Sequence, residues 1–154
     1  MKKIMGSVVG SMLAGIMLIG CGGKEITFNV NELGDKLSSQ IEYQDELGSI
    51  DVESAGMFLN LSNVELVNGS IYEGSGATAE EIVVLECASE AAAANAQKAI
   101  EERVAEQKES FADYVPEELT KLDAAVIRVS GKYVILSVSN DPDKASDIIA
   151  EYIK

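Results

Sequence analysis

The chain has no histidine, no tryptophan, two cysteines and two prolines among its 154 residues. Histidine is the usual general base and the commonest metal ligand near neutral pH, so the Ser-His-Asp and Cys-His arrangements are excluded. No G-x-S-x-G elbow presents a serine. Zinc lacks the clusters of histidine or cysteine that it requires. Cys87 closes the β-rich run Ile82-Val83-Val84-Leu85-Glu86-Cys87 with no lysine or arginine close by in sequence. A thiol in that setting reads as a small buried hydrophobe, not an activated nucleophile.

Positive charge is also scarce. Twelve Lys and Arg stand against 26 Asp and Glu, a net charge of −14. Nucleic acid, whose phosphates need clustered cations, is therefore excluded as a partner, and lying flat on anionic lipid is disfavoured. Such a surface ordinarily serves solubility; the functional alternative is recruitment of cations or of a basic partner.

What is present begins with Met1-Lys2-Lys3, followed by an uncharged run from Ile4 to Ile19. That is a positive segment and an apolar segment in the order of a secretory signal. About 16 residues, diluted by Gly6, Ser7, Gly10, Ser11 and Gly15, fall short of the roughly 20 that span a bilayer. Leu18-Ile19-Gly20-Cys21 has the form of a bacterial lipobox. It predicts cleavage between Gly20 and Cys21, with diacylglycerol and a further acyl chain such as palmitate on Cys21. Two or three acyl chains, at about 0.8 kcal/mol per buried methylene, hold a small domain at the membrane. Residues 1–20 are then a signal peptide, 21–27 a lipidated tether with Gly22-Gly23 as spacer, and 28–154 one domain. The remainder carries −16, because Lys2 and Lys3 leave with a segment that has no acid. With Cys21 acylated, Cys87 has no partner for a disulfide within the chain.

Two short helices are predicted first. Val30, Leu33, Leu37 and Ile41 recur at helical spacing behind Asn29, with Glu32 three residues on. Asp51 caps a second segment carrying Val52, Ala55, Phe58 and Leu59. Residues 64–73 read either as a hairpin turning at Asn68-Gly69 or as one strand with a bulge at Gly69. Glu81 to Cys87 is a buried strand. From Ser89 to about Tyr114 runs a long amphipathic helix, with Ala93, Ala96, Ile100, Val104 and Phe111 on one stripe and Lys98, Glu101, Glu102, Glu106 and Glu109 opposite. Pro116 stops it. Residues 125–130 and 133–139 form a hairpin about Gly131-Lys132. Asp141-Pro142 opens a terminal helix with Ala145, Ile148, Ile149, Tyr152 and Ile153 on one face. The order lacks strict βαβ alternation, so the expected fold is α+β: a mostly antiparallel sheet of about four strands, packed by the long helix and the C-terminal helix.

Several stretches could carry chemistry. Gly74-Ser75-Gly76-Ala77-Thr78-Ala79 matches G-x-G-x-x-A, but a strand follows instead of a helix and Glu80-Glu81 repels phosphate, so a turn is expected. Asn140-Asp141-Pro142-Asp143 with Asp147 could offer oxygen ligands to Ca²⁺, yet it lacks the glycine and distal glutamate of an EF-hand, and acids at a helix start are expected as caps. The pairs Asp45-Glu46, Glu80-Glu81 and Glu117-Glu118 read as solvated charge. No metal or cofactor is expected. Arg103, Gln107, Lys108 and Tyr114 form a polar, partly basic cluster on the long helix, with Arg103 and Gln107 one turn apart. Intrahelical pairing accounts for it; as a functional feature it is the best candidate for an interaction face.

The lipobox, "SGATAEEIVVLE" at 75–86, "RVAEQKESFADYVPEEL" at 103–119, "AVIRVSGKYVILSVSND" at 125–141 and the terminal amphipathic helix together resemble the lipoproteins of anaerobic Gram-positive bacteria known as domain of unknown function 4358. The likeness spans nearly the whole chain after Cys21. It implies no activity and assigns no residue a role. The sequence thus leads to a lipid-anchored, extracytoplasmic, non-enzymatic binding or protein-interaction module. A small-ligand receptor is the second reading and a carboxylate hydrolase the third, with an unidentified protein or small molecule at the cell surface as partner. A pocket near Arg103 and Tyr114 would favour the receptor, an exposed apolar patch the interaction module.

Overall fold

The structure, a computed structural model, describes residues 25–153. The expected processing and lipidation site at Gly20 and Cys21 lies outside them. Helix α1 (Val30–Gln40) starts where Asn29 accepts hydrogen bonds from the backbone N–H groups of Asn31 and Glu32, replacing partners that a first turn lacks. Asp51 does the same for α2 (Val52–Phe58), through Ser54 N at 2.8 Å. Ser89 caps α3 (Glu90–Tyr114) through Ala92 N at 3.1 Å. Asp141, with Pro142 in the first turn, caps α5 (Pro142–Ala150) through Lys144 N at 3.0 Å. Capping thus accounts for the acid at this helix start.

Five strands form one antiparallel sheet: β1 (Gly48–Ile50), β2 (Leu66–Glu73), β3 (Glu81–Cys87), β4 (Val126–Ser130) and β5 (Tyr133–Val138). Their spatial order is β1-β2-β3-β5-β4. The central strands are covered on both sides, and period-two alternation divides their side chains between two cores. Val83, Leu85, Val134 and Leu136 pack with Ala93, Ala96, Ile100 and Val104 of α3. Ile82, Val84 and Ile135 pack with Leu33 and Leu37 of α1 and Ile148 and Ile149 of α5. Small alanines at the start of α3 let it lie close on the sheet, and its predicted stripe is the buried one.

The structure departs from the sequence reading at four places. The sheet has five strands where about four were expected; β1 is three residues long, too short to show a period, and is held by pairing with Ile71–Glu73. Of the two readings of residues 64–73 the structure has the single strand, over 66–73, but its irregularity lies between Leu66 and Asn68 and not at Gly69. Gly69 is there for room and not for a turn: its φ is not positive, and a Cβ would come within 2.9 Å of Val52 Cγ2 on α2. Pro116 ends α3 but opens a 3₁₀ turn (Pro116–Glu118) that runs into α4 (Leu119–Asp123). Tyr152 and Ile153, expected on the terminal helix, lie past its end and are half-buried. The β4–β5 hairpin agrees in detail, with Gly131 alone at positive φ (55°) in the two-residue turn. No helix among the described residues is long and apolar enough to cross a membrane.

Candidate functional site

The loop 74–80 joins β2 to β3 at one end of the sheet, so the Gly-rich stretch is a strand-to-strand connection and opens no helix. Two clusters of charge are built beside it. Both use acids that the sequence reading left in solvent, and both correct it.

The first is centred on Lys121 of α4, whose ammonium is buried. It pairs with Glu118 Oε1 at 3.0 Å and Glu80 Oε1 at 3.2 Å, and donates to Gln44 Oε1. Glu80 also accepts from Gln44 N and Asp45 N, both at 2.9 Å, and Glu118 Oε2 accepts from Ala79 N at 2.8 Å. Asp45 in turn accepts from Ser75 N and Oγ, and these bonds hold its carboxyl below the usual range. One acid of each pair, Asp45, Glu80 and Glu118, therefore ties this loop down, while Glu46 and Glu117 are exposed as expected. One ammonium is shared by two carboxylates, and N–H groups of Gln44, Asp45 and Ala79 supply further hydrogen bonds to them, the condition under which buried ions are tolerated.

The second cluster is centred on Arg103 of α3. Glu73 and Glu81 face each other across β2 and β3, a like-charge pair that is unfavourable by itself. The Arg103 guanidinium bridges them: Nη2 donates to Glu73 Oε1 at 3.0 Å, and Nε stands 3.5 Å from Glu81 Oε2. The second distance is too long for a good hydrogen bond. Glu81 is 0% exposed, and neither of its oxygens accepts a hydrogen bond. Burial pushes its carboxyl up to about 7, with Arg103 opposing and Glu73 adding to the rise. The Phe58 ring covers the guanidinium at 5.0 Å.

Arg103 also borders a cleft of about 310 Å³, with Glu73, Thr78, Gln107, Phe111 and Tyr114 among its walls. The volume is at the small end of the range for ligand sites. Gln107, one turn beyond Arg103 and 8% exposed, has its Oε1 buried without a hydrogen-bond partner. Tyr114 stands at the mouth, 75% exposed. Of the four residues expected to act together, the structure brings Arg103, Gln107 and Tyr114 to one cleft. Lys108 is elsewhere, paired with Asp123 of α4 at 2.8 Å. Arg103 pairs with the sheet and not within its helix.

Sequence reasoning missed Glu73 and Glu81. The signal for Glu81 was present: period two places it on the same strand face as Val83 and Leu85, hence under α3. For Glu73 no signal existed, because its partner is 30 residues away.

Residues 43–139, which contain all of both clusters, match the family described as Domain of unknown function (DUF4358). The chain belongs to that family. The matched span begins at the Tyr43–Asp45 segment that reaches Glu80 and ends with β5, so α1 and α5, which cover the far face of the sheet, lie beyond it. No curated protein and no solved structure matches the chain.

Proposed function

We propose that this DUF4358 protein is an extracytoplasmic, non-enzymatic domain that is anchored by lipid on Cys21 and binds a small ligand in the Arg103 cleft. Gln107 carries this reading. A buried amide oxygen without a partner costs about 1–3 kcal/mol, and its residue lines the cleft, so that a rotation of the side chain would bring the oxygen to a ligand's donor. A hydrolytic role is disfavoured, because the guanidinium occupies the space between Glu73 and Glu81 where a substrate and water would have to sit. The anchor fits the placement of the cleft. The chain enters beside Tyr133, where Phe28 stacks at 4.1 Å, whereas Glu81 and Glu73 are at the other end of the strands.

The reading is tested by titrating the isotope-labelled chain with the low-molecular-weight fraction of spent growth medium. Shifts at the amides of Arg103, Gln107 and Tyr114 are expected; a spectrum unchanged there rejects it. For the anchor, Cys21→Ala is expected to release the protein from membranes, and full retention rejects lipidation. Met57, 81% exposed beside a shallow apolar groove of Val52, Leu61 and Leu66, favours protein docking as the second reading. Met57→Glu abolishes association with a cell-surface protein if that reading holds.

A further inference from the structure

The charge and hydrogen-bond inventory of the cleft selects among ligand chemistries. Arg103 is the single cation in its walls, and its guanidinium is already shared between Glu73 and Glu81. Glu80, the other acid that borders the cleft, shares Lys121 with Glu118 and also accepts from two backbone N–H groups. An anionic ligand would share Arg103 with two acids opposed across adjacent strands, one of them fully buried, and would add a third negative charge beside them. Around the cleft, Gln107 Oε1, both oxygens of Glu81 and Arg103 Nε make no hydrogen bond; Nε faces Glu81 at 3.5 Å, which leaves Gln107 Oε1 as the unspent group apart from that pair. Two aromatic rings, Phe111 and Tyr114, complete the wall, and ring faces attract cations. The net charge of −14 raises the local concentration of small cations around the molecule.

From this inventory we infer that the cleft takes a compact organic ligand bearing a protonated amine, which donates to Gln107 Oε1 and sets its apolar part against Phe111 and Tyr114. The inference rests on the ligand-binding reading above and narrows it to one chemical class. Glu73 gives the ammonium a carboxylate neighbour that Arg103 leaves incompletely neutralised. Arg103 stays in place and keeps the two strands from repelling, so binding requires no rearrangement of the buried pair.

Three probes of similar shape separate the classes: benzylamine, benzyl alcohol and phenylacetate. Each is titrated into the full chain in detergent micelles at physiological salt, read by calorimetry and by amide shifts. Saturable shifts at Arg103, Gln107 and Tyr114 are expected with benzylamine alone. Gln107→Leu, which deletes an unpaired acceptor and should fold at least as well, is expected to weaken benzylamine about tenfold or more. Binding of phenylacetate or benzyl alcohol in the cleft overturns the amine class and leaves the ligand-binding reading standing. Failure of all three probes to shift the cleft overturns both. Benzylamine shifts spread over the acidic surface, or an affinity untouched by Gln107→Leu, overturn the inference as well.

Discussion

Glu80 and Glu81 are adjacent and both buried, yet their carboxyls are treated oppositely. Glu80 has an ammonium and several N–H groups around it. Glu81 has one guanidinium at 3.5 Å and no hydrogen bond. The difference separates a structural ion cluster from a poised one. At Lys121, satisfied charges fasten the 74–80 loop to α4 and to the Tyr43–Asp45 segment. At Arg103, the acceptors are left in want of donors next to a cleft. Burial alone does not single out a candidate charge; unspent bonding capacity is what distinguishes Glu81 from Glu80.

The largest expected effect breaks the satisfied cluster. Lys121→Met removes the one cation between Glu80 and Glu118 and should cost about 3–5 kcal/mol in chemical denaturation. A loss below 1 kcal/mol would mean that the backbone N–H groups suffice for Glu80.

Next comes the pH response of the poised cluster. The carboxyl of Glu81 is raised from 4.5 to about 7, so the folded protein holds this proton more tightly than the unfolded chain. Its contribution to stability is therefore present at low pH and is lost as pH climbs from 4.5 to about 7. At about 1.4 kcal/mol per pH unit this is on the order of 3 kcal/mol. Glu81→Gln should flatten the stability profile across that window and leave the variant more stable than wild type above it. An unchanged slope in urea unfolding measured between pH 5 and 8 would show that Arg103 compensates Glu81 fully.

Two smaller effects sharpen the contrast. Gln107→Leu should be neutral or stabilising by up to about 1 kcal/mol, since its oxygen is already unpaired; a marked loss of stability would show that the amide is structurally committed. Tyr114→Ala, at an exposed position, should change stability by less than about 0.5 kcal/mol in thermal unfolding while weakening any cleft ligand.

These clusters were the part of the molecule least legible in the sequence. The helices could be read because their apolar residues recur locally: Leu33 and Leu37 on α1, Ala96, Ile100 and Val104 on α3, Ile148 and Ile149 on α5. The same holds for the Gly131-Lys132 hairpin, where turn and strands are contiguous. Glu80 and Glu81 were misread because the cations that reach them are remote, whereas Glu118 has Lys121 three residues on. Lys121 follows Glu80 by 41 positions and Arg103 precedes or follows its acids by more than 20. Only the fold brings them together. At Asn68-Gly69 a local turn signal was overruled by packing, since the approach of Val52 needs the absent side chain more than a turn needs the dipeptide. Arg103 and Gln107 were grouped because they lie one turn apart, which helix periodicity fixes without knowledge of the sheet beneath; Lys108, in the same cluster, points to Asp123 instead.

The opposition of chain entry and cleft along the strands has one more consequence. β3 has seven residues, Glu81–Cys87, and so spans roughly 23 Å at about 3.3 Å per residue. Under the anchoring proposed at Cys21, the cleft would lie at the end of the strands away from the first described residues. Ions screen a charged headgroup layer within about 8 Å at physiological salt, so the mouth stands beyond the reach of the surface potential. Glu81 then titrates against the acidity of the surrounding medium, and a captured amine is drawn from its bulk concentration there, not from the enriched layer at the lipid.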